Sequence, residues 1–325
     1  MAARFDVIFE TYRSVTETAS LSVIVPTKNR PRDLEAAVDS LLRQTVLPRQ
    51  LVIIDQSSSG ESESQIRSRL AAVPPQVRDL LKVDYIRDEG ISGLASARNR
   101  AMQLANQELW LFLDDDVVLE PEFIKELAAV YEARAGVAGI SGVVTNYPSP
   151  PRLFRMWNAL FVRGPLRDDR QAVYWKADRL RNAAPVRVSR LGGGLMSFRA
   201  QAIRGLKFDE SLRGVSDGED VDFCARLGPE AILMIAPRAR LVHNQSLSGR
   251  EQDYWLRRSA RGLCYLYWKN WDHGVRNRLC FAWLNAGYAL VATWGSLRRF
   301  SLQPWRALLS GVREAREVAG RMIHG

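Results

Sequence analysis

Short apolar runs alternate with helical patterns along the first third of the chain. Runs rich in β-branched, aliphatic and aromatic residues at 21–26, 50–55 and 82–87, and a fourth run that ends at Asp114, have the character of β-strands. Between them, segment 32–43 carries apolar residues at helical spacing, segment 61–72 is weakly helical, and segment 95–105 is predicted to be a helix. Strands that alternate with helices predict an α/β fold with a mostly parallel sheet covered by helices on both faces.

Candidate ligand-binding residues stand where these strands end. They are Pro26, Thr27, Asn29 and Arg30 at the first strand, Asp55 at the second, and Asp114, Asp115 and Asp116 at the fourth. Because ligands of such sheets bind outside the carboxyl ends of the strands, we expect one shared crevice. No G-x-G-x-x-G follows the first strand and no G-x-x-x-x-G-K-[ST] occurs, which argues against a dinucleotide-binding domain and a P-loop NTPase.

The three consecutive acids, Asp114 to Asp116, predict a metal site. Like charges in a row repel one another unless a cation gathers them. Residues i and i+2 of an extended segment point the same way, so Asp114 and Asp116 can share an ion while Asp115 points toward a base or ribose. Mg²⁺ and Mn²⁺ accept carboxylate ligands together with the oxygens of a diphosphate. A solvated acidic turn is the alternative interpretation.

Seven ordered motifs between residues 21 and 246 resemble those of the family 2 glycosyltransferases. They are V-P-T-K-N-R at 25–30, V-I-I-D at 52–55, G-L-A-S-A-R-N at 93–99, L-D-D-D at 113–116, G-G-G at 192–194 with F-R at 198–199, F-D-E at 208–210 and G-E-D-V-D at 218–222. The resemblance implies the GT-A fold and an enzyme that transfers a hexosyl or deoxyhexosyl group from a nucleotide diphosphate sugar with inversion. No covalent nucleophile is then needed.

The resemblance also implies which residues bind the donor and the metal. The donor-binding residues are Pro26, Thr27, Asn29, Arg30, Asp55, Arg98, Asn99, Asp114 and Asp115, and the ligands of Mn²⁺ or Mg²⁺ are Asp114, Asp116 and His243. Three alternatives stay open. Asp55 could cap the turn after its strand, Arg98 could form a surface salt bridge, and His243 could order the loop that follows it.

For the acceptor side, the resemblance implies Asp220 as the general base and Glu219 as an acceptor-orienting residue, and the two could exchange roles. These acids begin a predicted helix, whose dipole favours anions in its first turn, so helix capping is an alternative reason for one of them. Gly193, Gly194 and Asp222 are predicted to contact the acceptor. Three glycines in a row suit a close approach of backbone to ligand, and a flexible loop is the alternative.

The chain of 325 residues is predicted to form three parts. They are a lead segment 1–19, a catalytic domain 20–249 with a nucleotide-binding half 20–145 and an acceptor half 146–249, and a helical extension 250–325. The Arg- and Trp-containing segment 152–190 is where we expect acceptor specificity. Three cysteines without metal spacing indicate a reduced, cytoplasmic setting, and the N-terminus has no long apolar core of the kind that a secretory signal needs.

The extension is basic and rich in tryptophan. From residue 250 onward, 13 Lys and Arg stand against 5 Asp and Glu, and 6 of the 9 tryptophans lie there. This composition suits an anionic membrane surface, and no nucleic-acid-binding motif accompanies it. We expect segment 279–297 to form interfacial or packed helices rather than a span, and helix 306–323 to lie along the membrane with its apolar face. A structural extension packed on the catalytic domain is the alternative.

Together these features predict a metal-dependent inverting glycosyltransferase, peripheral on the cytoplasmic face of the membrane, that acts on a lipid-linked or polysaccharide acceptor. Two other classes stay open. A sugar nucleotidyltransferase would share the sheet and the acids, but would carry a glycine-rich loop where residues 26–30 have no glycine. A non-catalytic membrane-associated scaffold would neither hydrolyse nor transfer a nucleotide sugar.

Overall fold

The structure is a computed structural model that describes residues 17–162, 168–211, 218–244 and 252–323. Most of the predicted lead segment 1–19 and the predicted boundary at 249/250 lie outside these residues. The strands are β1 (Glu17–Thr27), β2 (Val46–Asp55), β3 (Lys82–Arg87), β4 (Leu109–Leu113), β5 (Val117–Leu119), β6 (Val137–Val144), β7 (Val186–Val188), β8 (Leu195–Arg199) and β9 (Ile232–His243).

The helices of the described chain are α1 (Pro31–Leu42), α2 (Glu61–Ala71), α3 (Pro75–Arg78), α4 (Leu94–Met102), α5 (Phe123–Ala133), α6 (Arg152–Phe161), α7 (Arg170–Tyr174), α8 (Glu219–Ala225), α9 (Gln252–Asn270), α10 (Val275–Arg299) and α11 (Gln303–Ile323), with a 3₁₀ turn at Ala200–Ile203. The alternation predicted for the first third is confirmed, with element ends within a few residues of the predicted ones. Pro31 begins α1, where its missing N–H costs no hydrogen bond.

The strands form one sheet in the order β3-β2-β1-β4-β8-β6-β9-β5, with β7 paired to β9. Strands β3, β2, β1 and β4 are parallel, as expected, whereas β8 runs antiparallel to both of its neighbours. The reversal follows the glycine turn 192–194, in which Leu195 N donates to Gly192 O. Because Leu113 and Leu195 are then paired, the glycines stand beside the acids that follow β4.

The sheet is buried on both faces. In β1, Leu21, Val23 and Val25 face a cluster that contains the apolar sides of α1 and α5. Ile24 points the other way, toward a second cluster that holds α4 and the rings of Phe198, Phe208 and Phe223. This period of two along a strand with apolar residues on both faces explains why β1 reads as a nearly continuous apolar run.

The C-terminal helices pack on protein, and this corrects one expectation. Leu308, Ala315 and Val318 of α11 are buried, in clusters that they share with residues of α9 and α10. At Gly311 a Cβ atom would lie 2.2 Å from the carbonyl oxygen of Arg257, so glycine permits the close contact between α9 and α11. Up to residue 318 the apolar face of α11 therefore packs on protein, which was the alternative, and not on a membrane; the side chains of its last turn lie outside those described. Among the described helices, none combines the length and hydropathy of a membrane span.

Candidate active site

A cleft of about 990 Å³ opens at the carboxyl ends of the central strands. This volume lies at the upper end of what ligand pockets usually have. Eleven of the predicted residues line it: Pro26, Thr27, Asn29, Arg30, Asp114, Asp115, Asp116, Gly193, Gly194, Asp220 and His243. The parallel order of β2, β1 and β4 brings the donor candidates together. The antiparallel strand β8 begins just after the glycines, and β9, which is parallel to β6, ends at His243, so both bring their residues to the same edge.

Asp115 lines the cleft and is bonded to two residues at the end of β1. Its Oδ2 accepts a hydrogen bond of 2.7 Å from the Thr27 hydroxyl, and its Oδ1 lies 3.1 Å from Nη1 of Arg30. Burial raises the pKa of Asp115 to about 6, although Thr27 and Arg30 oppose the rise. Arg30 also lies 3.4 Å from Asp116, so one guanidinium ties the acidic run to the end of β1.

Asp114, Asp116 and His243 form a cluster with the composition of a metal site. One ligand atom of each lies within 4.8 Å of the others, and the pairing of β5 with β9 places Val117 opposite His243. Nε2 of His243 is 2.8 Å from Asp116 Oδ1 and 3.9 Å from Asp114 Oδ2. Burial raises the pKa of Asp114; at Asp116 the same effect is outweighed by His243 and Arg30, and the pKa is lowered.

The cluster fits a divalent cation. Asp116 Oδ1 is buried, and the polar atom 2.8 Å from it is Nε2 of His243, which is itself a possible metal ligand. Two carboxylates and an imidazole are ligands that Mn²⁺ accepts, and the carboxylates suit Mg²⁺. Gly194 makes room for them, because a Cβ atom there would lie 2.4 Å from Asp114 Oδ2 and 3.5 Å from a ring carbon of His243.

Arg98 connects the metal cluster to the acids of α8 from behind the cleft. Its guanidinium is fully buried and donates to Gly193 O at 2.6 Å, to Asp114 Oδ1 at 3.3 Å and to Glu219 Oε1 at 3.1 Å. The structure thus places Arg98 in a buried ion network rather than in a surface salt bridge. Glu219, which is also buried, lies behind the wall in the same network.

Asp220 lines the cleft, and its carboxylate accepts three hydrogen bonds. Oδ2 accepts from Gly193 N at 2.8 Å and from Nη1 of Arg170 at 3.1 Å, while Oδ1 accepts from Val221 N at 2.8 Å. Burial alone would raise the pKa of Asp220, but Arg170 and then Arg190 outweigh it and lower the pKa. The group is therefore a carboxylate at neutral pH and can accept a proton.

Arg170 is a cleft residue that the motifs did not identify. It pairs with Asp168 at 2.9 Å and donates to Leu191 O at 2.8 Å, so it is fixed before it reaches Asp220. Arg190 lies 3.4 Å from the same Asp168. One feature of the sequence could have pointed to Arg170: it stands two residues after Asp168, which is the first acid after the acid-free stretch 133–167. Arg170 belongs to the segment 152–190 in which acceptor specificity was expected.

Three further predicted residues support the cleft from behind. Asp55 is fully buried and accepts from Ser57 N at 2.9 Å, as a turn cap would, and from the Tyr85 hydroxyl at 2.6 Å. Asn99 exchanges hydrogen bonds with the backbone of Phe208. Asp222 is fully buried; it pairs with Arg226 and Lys269 and accepts from Asn270 of the C-terminal extension.

The chain is similar in sequence to sugar transferases. The profile described as Glycosyl transferase family 2 matches residues 22–189. The validoxylamine A glucosyltransferase of Streptomyces hygroscopicus subsp. limoneus is 30% identical over 130 residues, which are 39% of this chain and 27% of that protein. A galactofuranosyltransferase of Mycobacterium tuberculosis is 27% identical over 214 residues, 65% of each chain. The match to the first relative thus spans less than a third of its length.

The fold has solved counterparts. The mannosyltransferase of Pyrobaculum calidifontis, solved in complex with GDP-Man and Mn²⁺, aligns with a TM-score of 0.57 and 18% identity over 97% of this chain and 94% of that one. At 18% identity this similarity establishes the fold alone. It confirms the predicted GT-A fold, and the predicted C-terminal helical extension is present in the structure as α9 to α11.

Proposed function

Because the chain belongs to glycosyltransferase family 2, we propose that it transfers a hexosyl or deoxyhexosyl group from a nucleotide diphosphate sugar to an acceptor hydroxyl, with inversion. One observation carries the proposal. The adjacent glycines 193 and 194 place Asp220 and the Asp114, Asp116 and His243 cluster on the wall of one cleft. A proton acceptor and a candidate site for a leaving diphosphate therefore face the same bound substrates.

Asp114, Asp116 and His243 would hold Mn²⁺ or Mg²⁺. A bound ion there would neutralise the charge that develops on the diphosphate when it leaves. The protein itself supplies further support for that charge and for the nucleotide. Thr27, Asn29 and Arg30 line the cleft at the end of β1, and Asp55 stands behind the wall at the end of β2.

In the proposed reaction, the Asp220 carboxylate takes the proton of the acceptor hydroxyl. The acceptor oxygen forms a bond to the anomeric carbon from the face opposite the diphosphate, and the bond between that carbon and the diphosphate oxygen breaks. Gly193 N and Arg170 orient the carboxylate for this role. One displacement inverts the anomeric carbon, and the accepted proton leaves to solvent afterwards.

The acceptor proposed is a lipid-linked or polysaccharide hydroxyl, and the proposed location is the cytoplasmic face of the membrane. The relatives transfer different sugars, as their names say, so the donor sugar and base stay open. Family membership identifies an enzyme that transfers sugars and so favours this reaction over a nucleotidyltransferase or a scaffold.

A thermal-shift panel tests donor binding and the metal site together. Nucleoside diphosphates that differ in their base are added with Mn²⁺ or with EDTA, to wild type and to Asp116→Ala. We expect one diphosphate to raise the melting temperature of the wild type with Mn²⁺, and the variant to lose most of this shift with Mn²⁺ but to match wild type in EDTA. Equal Mn²⁺-dependent shifts would remove Asp116 from the ligand set.

A further inference from the structure

An exposed apolar stripe runs along α10. Leu279, Trp283, Leu290, Trp294 and Leu297 are 66, 42, 55, 65 and 66% exposed. Their spacing of three, four and seven residues places them on one side of the helix. Most surface hydrophobic residues of a protein stand singly, so a continuous stripe indicates an interaction surface.

Helix α6 extends the stripe. Leu153, Met156 and Leu160 are 80, 67 and 47% exposed at helical spacing. The two helices are joined directly, because the Trp283 indole N–H donates to Leu160 O at 2.8 Å and the Trp283 ring lies 4.9 Å from that of Phe161. We call the exposed apolar residues of α6 and α10 together the apolar face.

The two helices that form the apolar face carry charge of one sign. No Asp or Glu occurs at positions 133–167 or 273–313, the segments that contain both helices. Exposed arginines flank the face at positions 152 and 155 of α6 and at 276, 278 and 298 of α10. Among the described residues, carboxylates meet α10 only near its ends, where Asp272 accepts from Asn277 and Asp253 pairs with Arg299. Apolar side chains with indoles among them and guanidinium groups along the edges match the acyl boundary and headgroups of an anionic bilayer.

We infer that the apolar face is the surface by which the enzyme lies on an anionic membrane. This inference rests on the proposed function, because it names the surface that would bring a lipid-linked acceptor to the cleft. It keeps α10, for which an interfacial position was one expectation, adds α6, and removes α11, whose apolar side is buried on α9. The helices lie in the interface, since none of those described is a candidate span.

The inner side of α6 connects this surface to the active site. Asn158 donates to the Gln171 side chain at 2.8 Å, and the Phe154 ring is 6.4 Å from that of Trp175. Gln171 and Trp175 both line the cleft. One helix therefore presents Leu153, Met156 and Leu160 outward and packs on the cleft wall inward. A lipid-linked acceptor held at the apolar face would enter the cleft on the side that Gln171 and Trp175 line.

Vesicle sedimentation of the full chain tests the inference. Vesicles of phosphatidylglycerol and phosphatidylcholine in equal parts are compared with phosphatidylcholine alone, at low and high salt. The double variant L290Q/W294Q removes apolar contact, R276Q/R278Q removes charge, and R67Q/R100Q removes the same charge from exposed positions of the nucleotide-binding half. Melting temperature and donor binding are measured for each variant, so that loss of folding or of donor binding is seen separately.

We expect L290Q/W294Q to lower the partition coefficient roughly tenfold or more at both salt concentrations, because the lost contact is apolar. R276Q/R278Q should lower it roughly tenfold at low salt and little at high salt, whereas R67Q/R100Q should match wild type. The inference is overturned if wild type ignores anionic vesicles at low salt or if L290Q/W294Q binds them within twofold of wild type. It is also overturned if the face instead mediates a dimer in solution that L290Q/W294Q disperses.

Discussion

Replacing Gly194 by alanine should disable the metal site without unfolding the protein. A Cβ atom at this position would lie 2.4 Å from Asp114 Oδ2, and real Cβ contacts essentially never fall below 3.0 Å, so the carboxylate must move by about 0.6 Å. Metal–ligand distances tolerate only about 0.2 Å. The movement would also disturb the bond from Arg98 to Asp114. We expect Mn²⁺ affinity to fall roughly 10- to 100-fold, as when a residue that orients a ligand is lost.

Calorimetric titration of Mn²⁺, with a saturating nucleoside diphosphate that the thermal-shift panel selects, measures this effect. Gly60→Ala is the matched control, because Gly60 has a φ of −83° and no atom within 4 Å of a Cβ built there. Overpacking at Gly194 should cost about 1–3 kcal/mol of unfolding free energy, which chemical denaturation detects. If Gly194→Ala bound Mn²⁺ within twofold of Gly60→Ala, the glycine would have no part in shaping the cluster.

Three further changes probe the remaining groups. Asp220→Asn should lower kcat at least roughly 100-fold with donor affinity unchanged in a binding titration, and retention of more than about a tenth of kcat would contradict the base role. Asp55→Ala should weaken binding of the whole nucleotide but not of pyrophosphate, because Asp55 caps the turn that carries Gln56 of the cleft wall, and an equal loss for both would contradict this supporting role. Burial would raise the pKa of Asp209, but hydrogen bonds from Lys269, Ser211 and Tyr265 outweigh burial and lower this pKa. The ionised Asp209 therefore stabilises the fold fully above about pH 4, the pKa of an unfolded Asp, and this stabilisation is lost as the pH falls toward the lowered pKa. In urea titrations at several pH values, the gap in unfolding free energy between wild type and Asp209→Asn should therefore narrow below about pH 4, and a constant gap would show that Asp209 does not titrate this way.

Local patterns predicted the part of the site that depends on strand ends. Each of β1, β2 and β4 carries its candidate acid or hydroxyl at or just past its carboxyl end, and parallel strands bring such positions to one edge. The three glycines indicated a close approach or a flexible loop, because their backbone entropy is costly. In the structure they allow a close approach, since a Cβ atom would lie 2.4 Å from Asp114 at Gly194 and 3.2 Å from Asp220 at Gly193. Which groups face the cleft and which stand behind it was not readable, as Asp55 and Arg98 show.

The contacts that the sequence could not predict join distant segments. Arg170 and Asp220 are bonded although 50 residues separate them in the sequence. No local pattern indicates that the chain brings α7 next to α8. The periodicity of α11 indicated one apolar face but could not tell a bilayer from a protein surface. The structure shows a protein surface, and Gly311 is the residue that permits it, because a glycine on the contact face lets one helix pack closely on another.

The contacts of Asp222 with the end of α9 link the C-terminal helices to the catalytic part of the chain. Lys269 Nζ lies 2.8 Å from Asp222 Oδ1, and Asn270 donates to the same oxygen at 3.0 Å. Removing one partner of a buried ion pair leaves an uncompensated charge and costs about 3–5 kcal/mol. The C-terminal helices therefore cannot be exchanged between relatives as an independent module. A working chimaera must inherit the acidic helix α8 and residues 269–270 from the same parent, so that the acids of the site and the C-terminal helices are passed on as one unit.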